Sequence, residues 1–420
     1  MVNKFYSKIF SSGAVNIVGI MLIALSGIVL ARILGVEKYG EYATYMSIVA
    51  MAIIPLVNGI PQIVIRELAS KEPKENLSSR KYNVIAWSRS FLMFLCVPSA
   101  LFVLVNSWWQ GTSYIMSAIL STIIITKAEL FRRGAILTGN GKVIYAQTLV
   151  KIIPMILFFL GLAIAVLAFD AKLNEKSTLM IFLSALVASL FFFRVKNKVF
   201  LLKNKNKSLY SMWSKSVAPF VFVAAFSLSV NEISIILLGN LYKSSHAAML
   251  SVSIQSVNLI TLGMISINSI ISPKIAELYS SEQVDKLQDL ITKITKISFF
   301  ISIPIIYVFF FHGEIFLSYV FGDEYRSAEA VLAILTVSQV INLITGPVGL
   351  VANMCGLERM SLKISGISFV LFMIFGFILV YFYGPLGFAI SIAINVIFSN
   401  VVMSKVIYST IGVKTWLRYK

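Results

Sequence analysis

Apolar residues in this chain run on in stretches of about 20, separated by short polar segments, instead of alternating or recurring on one helical face. A bilayer core of about 30 Å is crossed by about 20 helical residues rising about 1.5 Å each. The pattern predicts an all-α polytopic membrane protein with about 12 transmembrane helices. The expected spans are residues 11–34, 42–65, 84–106, 112–137, 144–168, 177–195, 216–239, 247–272, 295–313, 328–352, 361–382 and 386–408. Lys4 and Lys8 precede the first, as in a signal peptide. That run exceeds a signal core of about 7 to 15 residues and reads as a retained span.

The polar segments set an orientation. An even number of spans puts both termini on one side. Roughly 28 of the Lys and Arg residues share that side, about six lie opposite and about two at depth, which predicts cytoplasmic termini. Arg194, Lys196, Lys198, Lys203, Lys205, Lys207 and Lys215 form the densest basic stretch, at the midpoint of the chain. It reads as a solvated linker that fixes topology and touches anionic lipid. Trp108, Trp109, Phe382 and Tyr383 mark the opposite interface.

Halving the chain at that linker exposes a weak repeat. Ile33-Leu34-Gly35, Ala43, Ser47 and Gly59 align without gaps onto Leu237-Leu238-Gly239, Ala247, Ser251 and Gly263. Two domains are expected, 1–208 and 209–420, as pseudo-symmetric six-helix bundles related by an axis along the membrane normal. Leu287, Leu290, Ile291, Ile294 and Ile297 recur at helical spacing before the ninth span and predict an amphipathic surface helix. The tail, with Lys414, Trp416, Arg418, Tyr419 and Lys420, reads as a basic-aromatic segment at the headgroups.

Composition agrees. Hydrophobic residues make up 58% of the 420 and charged residues 13%, against about 25% charged in soluble proteins. The net charge of +18 sits in loops, so it speaks for topology and not for nucleic acid. Cys96 and Cys355 read as small apolar fillers.

A charge near the bilayer centre costs about 2.5 to 3.5 kcal/mol, so each one inside a span is expected to face protein or a wet cavity. The fourth span carries Lys127, Glu129, Arg132 and Arg133, and the fifth carries Lys151. Counted from the span ends, Lys127 and Lys151 should share a depth and could hold a divalent anion such as a pyrophosphate. The competing reading pairs Glu129 with Arg133 four residues on, with the arginines reaching to the headgroups. Arg32 on span one and Glu232 on the equivalent seventh span, of opposite sign, could pair as a gate when the outer side is shut, against the reading in which each finds partners within its own half. Glu232 and Glu129 are the candidates for coupling to H+ or Na+, because burial can raise a carboxylate pKa. Asn16, Asn58, Gln62, Asn231, Gln255, Asn258 and Asn268 add polar groups on spans one, two, seven and eight. Pro55, Pro61, Pro154 and Pro304 permit kinks.

No catalytic constellation or metal set stands out. His246 and His312 fall near helix ends, and Gly139-Asn140-Gly141-Lys142 lacks the rest of a phosphate loop and reads as a turn. An enzyme is not expected, nor a cofactor. With no ATPase domain in the sequence, an ion gradient, the membrane potential or the substrate gradient supplies the energy.

Four stretches carry a family resemblance: Ala31-Arg32-Ile33-Leu34-Gly35 with Tyr39-Gly40-Glu41-Tyr42; Arg66-Glu67-Leu68-Ala69; Ser272-Pro273-Lys274-Ile275-Ala276-Glu277-Leu278; and Tyr383-Gly384-Pro385-Leu386-Gly387-Phe388-Ala389. With their order and spacing, the chain resembles a bacterial polysaccharide flippase of the O-antigen and capsule-repeat type. That group belongs to the multidrug/oligosaccharidyl-lipid/polysaccharide exporter superfamily. The resemblance implies two six-helix bundles around a central cavity and alternating access in the bacterial cytoplasmic (inner) membrane. It implies a lipid-linked oligosaccharide on an undecaprenyl pyrophosphate carrier as cargo, moved from the inner to the outer leaflet. Membrane lipids are expected partners, as is polysaccharide polymerase machinery, and nucleic acid is not. Arg32 and Arg66 match family positions for cationic cavity residues. Asn231-Glu232 departs from the aspartate expected there, which puts an inherited coupling role in question. The alternatives are a multidrug or organic-cation antiporter, a peptidoglycan-precursor flippase with more spans, and a membrane-embedded glycan polymerase or ligase.

Overall fold

The computed structural model describes residues 2–69, 74–109, 111–167, 173–192 and 207–418. Its contacts sort the chain into two units. The first holds Met1–Ser26 and Glu41–Glu232, and the second holds Gly27–Gly40 and Ile233–Lys420. This grouping differs from the expected cut at 208/209. The linker residues Arg194, Lys196, Lys198, Lys203 and Lys205, and Tyr419 and Lys420 of the tail, fall outside the described residues.

The described residues are helical throughout their ordered elements. They form α1 (Val2–Ala52), α2 (Ile54–Asn58), α3 (Ile60–Ala69), α4 (Lys74–Trp109), α5 (Tyr114–Gly139) and α6 (Val143–Gln147). A π-helical turn, Thr148–Ile152, leads into α7 (Ile153–Leu167), followed by α8 (Glu175–Phe192) and α9 (Lys207–Leu241). Then come α10 (Ser244–Ser280), α11 (Val284–Phe311), α12 (Gly313–Phe321), a 3-10 turn (Asp323–Ala328), α13 (Glu329–Thr345), α14 (Val348–Met354), α15 (Glu358–Tyr383) and α16 (Pro385–Ile411).

Among the described residues 11 helices are long and apolar enough to cross a membrane. The chain is thus the multi-pass helical protein that the apolar runs predict, one helix short of the expected number. The missing one is the second. Gly35 breaks α1 with φ 72° and ψ 172°, a conformation that a side chain disfavours. The residues expected as span two are shared among the end of α1 and the short α2 and α3. Pro55 stands in the first turn of α2, where its missing N–H costs nothing.

Gly35 also explains how a stretch of the first helix joins the second unit. Arg32 Nε donates to the Val320 carbonyl at 2.8 Å and its Nη2 to that of Tyr319. The Val36 N–H, just beyond the break, donates to Glu324 at 2.8 Å. Gln255 donates to the Tyr39 hydroxyl, and Tyr39 meets Tyr325 edge-on.

The amphipathic stretch before the ninth span is the first part of α11, with Leu287, Ile291 and Ile294 buried and Ile297 exposed. Leu287 and Ile291 join Ile275, Val348, Val351, Cys355, Met403 and Val413 in one core cluster. The tail departs from expectation. Val413 and Thr415 are buried on protein. Gln288 clasps Lys414 with a pair of hydrogen bonds, 2.8 Å to its carbonyl and 2.7 Å from its N–H. The apolar core here is deep enough to hold the tail, which charge counting could not reveal.

Candidate functional site

The first unit gathers the intramembrane charges of α5, the π turn and α9. Helix α5 starts on a Ser113 cap and ends at Asn140, and Gly141 takes φ 80° to turn the chain into α6. Residues 139–142 are therefore the helix-helix turn the sequence suggested. On the other side of this hairpin Val150 fills the notch at Gly134, whose added Cβ would lie 2.5 Å from its Cγ2. Antiparallel helices that meet at 134 and 150 put Lys151 level with Arg133. Lys127 lies six residues further along, about 9 Å away in depth at about 1.5 Å per residue. The two lysines do not share a level, because the tight turn sets the register more closely than span ends do.

Glu129 is the hub of the lower level. Its carboxylate accepts from Arg132 Nε and Nη2, each at 2.7 Å, and from Arg133 Nε at 2.8 Å. Arg132, buried, reaches Ser88 on α4 at 3.4 Å, and Arg133 donates to the Leu190 carbonyl of α8 at 3.2 Å. This cluster ties three helices together. Local pairing, one of the two readings of these residues, is what the structure holds, and it takes in both arginines.

Lys127 and Glu232 lie within electrostatic reach of each other, and Glu232 also hydrogen-bonds Ser47. Lys151 donates from Nζ to Asn16 Oδ1 on α1. Gly19, one turn further along α1, lies so close that an added Cβ would stand 3.0 Å from the Lys151 Cβ.

The remaining expected site residues lie elsewhere. Arg66, at the end of α3, is exposed and 3.3 Å from Glu67, which is buried and paired with Arg80 at 2.7 Å. Arg32 is engaged by carbonyls of the second unit. Arg32 and Glu232, one reading of which pairs them as a gate, each have partners within their own unit. Sequence reasoning missed the Ser47 contact and the π turn. Pro154, three residues after Lys151, was the available signal for the latter, since its missing N–H leaves the Val150 carbonyl without its α-helical donor.

The MatE family model matches residues 219–378. The capsular polysaccharide biosynthesis protein CapF of Staphylococcus aureus is 27% identical over 255 residues, which are 58% of this chain. The match spans 61% of that relative's length. An inward-facing multidrug resistance MATE family transporter of the MOP superfamily superposes with a TM-score of 0.74 at 14% identity, covering 94% of each chain. The lipid II flippase MurJ, in an inward closed conformation, gives the same TM-score and identity over 95% of this chain and 87% of its own. The likeness to these two structures shows that the chain shares their fold. A further superfamily transporter, from Pyrococcus furiosus, has a binding pocket described as reversed in polarity; its TM-score is 0.60 at 14% identity over 97% and 94% of the two chains.

Proposed function

We propose that this chain is a flippase that carries an oligosaccharide on undecaprenyl pyrophosphate from the inner to the outer leaflet of the bacterial cytoplasmic membrane. The observation that carries the reading is the charge of the first unit's interior. Lys127, Lys151, Arg132 and Arg133 face only Glu129 and Glu232 as described acidic partners there. A surplus of positive charge at depth costs free energy unless an anion uses it. A lipid pyrophosphate is such an anion, with an apolar tail that can stay in the bilayer.

Glu129 is committed to its arginines, so Lys151 and Lys127 are the groups left to meet the headgroup, at two levels about 9 Å apart. The capsular polysaccharide relative supports a glycan cargo. Glu232, close to Lys127, is the carboxylate suited to H+ or Na+ coupling. Cytoplasmic termini follow from the Lys and Arg distribution, and a polymerase that elongates the delivered units is the natural partner.

One observation favours a second reading. Glu232 is a carboxylate in the interior, and the likeness to a multidrug transporter is as close as that to the lipid II flippase. An organic-cation antiporter would use it. Deleting the gene separates the two. Repeat units accumulating on the carrier at the inner leaflet support the flippase. Unchanged glycans with altered sensitivity to cationic drugs would replace it with the antiporter.

A further inference from the structure

Lys151 differs from Arg80, Arg132 and Arg133 in what it touches. Glu129 neutralises Arg132 and Arg133, and Glu67 neutralises Arg80. Among the described residues no carboxylate lies within ion-pair distance of Lys151. Its partner is the neutral amide oxygen of Asn16. An amide orients an ammonium group and leaves its charge available, whereas a carboxylate cancels that charge.

Three features of the backbone fix this contact. Pro154 has no N–H to give the Val150 carbonyl. The helix widens just before it, and the Ile153 N–H bonds instead to Thr148, five residues back. A π turn inserts one residue, which rotates the preceding side chains by about 100° relative to an unbroken α-helix. Gly19 then lets α1 close on the base of the lysine side chain, and Gly134 accepts Val150 on the opposite flank. Asn16 and Gly19 are three residues apart and lie on one face of α1. The turn of that helix that admits the stem of Lys151 therefore stands beside the one that receives its head.

We propose that Asn16 and the π turn Thr148–Ile152 are positioning elements for an anion-binding lysine: they present the Lys151 ammonium on a neutral partner that an anionic headgroup replaces. The inference rests on the flippase reading above and adds to it the groups that hold the cation ready. Isolated packing of a lysine against α1 would not require its partner to be uncharged. The exchange does require that, because a carboxylate at position 16 would compete with the cargo for the same charge.

The test uses the full-length protein in detergent, with farnesyl pyrophosphate as the probe and farnesol as its uncharged control. Lys151→Gln should weaken pyrophosphate binding at least about tenfold, close to 1.4 kcal/mol, and leave farnesol unaffected. Asn16→Asp should weaken it as much with an unchanged or higher melting temperature, since the new carboxylate pairs with Lys151. Relative to wild type, its binding should recover as the pH falls through the carboxylate range. Asn16→Ala and Pro154→Ala should each lose about two- to fivefold, below the about 1.4 kcal/mol of a tenfold change. If Lys151→Gln abolishes binding while Asn16→Asp binds like wild type, the positioning role is wrong and the anion site stands. Unchanged binding by Lys151→Gln would remove both. Should Pro154→Ala fail to fold, the isosteric Asn16→Asp decides alone.

Discussion

Arg132 lays two guanidinium nitrogens on the Glu129 carboxylate, each at 2.7 Å, in a side-on fork. Arg133 takes a place on the same carboxylate at 2.8 Å. Two of the basic side chains that the sequence places at depth are thus held by the protein itself. A cation inside a membrane span is a candidate for cargo only once its internal partners are known.

Removing the hub should be costly. Glu129→Gln strands the buried Arg132 and should destabilise the first unit by about 3 kcal/mol or more. A lower melting temperature in detergent would register this. No change would mean that Ser88 and water already satisfy the arginine.

Charge reversal should follow the partners seen in the structure. Lys127→Glu and Glu232→Lys should each reduce transport by at least about tenfold, and the double reversal should recover part of the loss. Arg32→Glu should not be rescued by Glu232→Arg, because Arg32 binds backbone carbonyls that a glutamate cannot replace. A clean rescue of that second pair in a transport assay would restore the gate expected from the repeat.

Two glycines should respond in opposite directions to alanine. A Cβ at Gly387 would lie 2.3 Å from the Leu379 carbonyl atoms, whereas one at Gly349 meets nothing within 4 Å. Gly387→Ala should cost about 1 to 3 kcal/mol. Gly349→Ala, in the helix α14, should gain about 0.4 to 1 kcal/mol. Thermal unfolding of the pair reads both, and equal shifts would contradict the close approach of α15 and α16.

The tail should be protected by one glutamine. Gln288→Ala removes both hydrogen bonds to Lys414, worth about 1 kcal/mol each. Limited trypsin digestion at Lys414 should then accelerate. An unchanged rate would show that burial of Val413 and Thr415 holds the strap unaided.

Cys355 should be inert at neutral pH. Burial pushes its thiol up to about 11 from an ordinary 9.0. The folded state therefore favours the neutral thiol, so its contribution to stability is complete below pH 9 and is lost as pH rises through about 11. Iodoacetamide labelling at pH 8 should be at least about tenfold slower than in the denatured chain. Equal rates would mean that the site is open.

Long apolar runs determined the class of this protein, because lipid admits only backbones that satisfy their own hydrogen bonds and helices do so locally. The turn at 139–142 and the buried cysteines were legible for the same reason, being properties of a few neighbouring residues, whereas the break at Gly35 was not read from them. What only the tertiary structure decided is which charges cancel and which stay available. Glu129 and Arg132 are three residues apart, but Lys151 and Asn16 are separated by 135 positions, and their meeting depends on a one-residue widening of the helix ahead of Pro154. The level of Lys151 against Lys127 depends on how Val150 seats at Gly134, and the place of Arg32 on how Gly27–Gly40 joins the second unit. Hydropathy is summed along the chain and survives errors of several residues. Electrostatic partnership is set by distances of a few ångströms between helices, which no linear pattern contains.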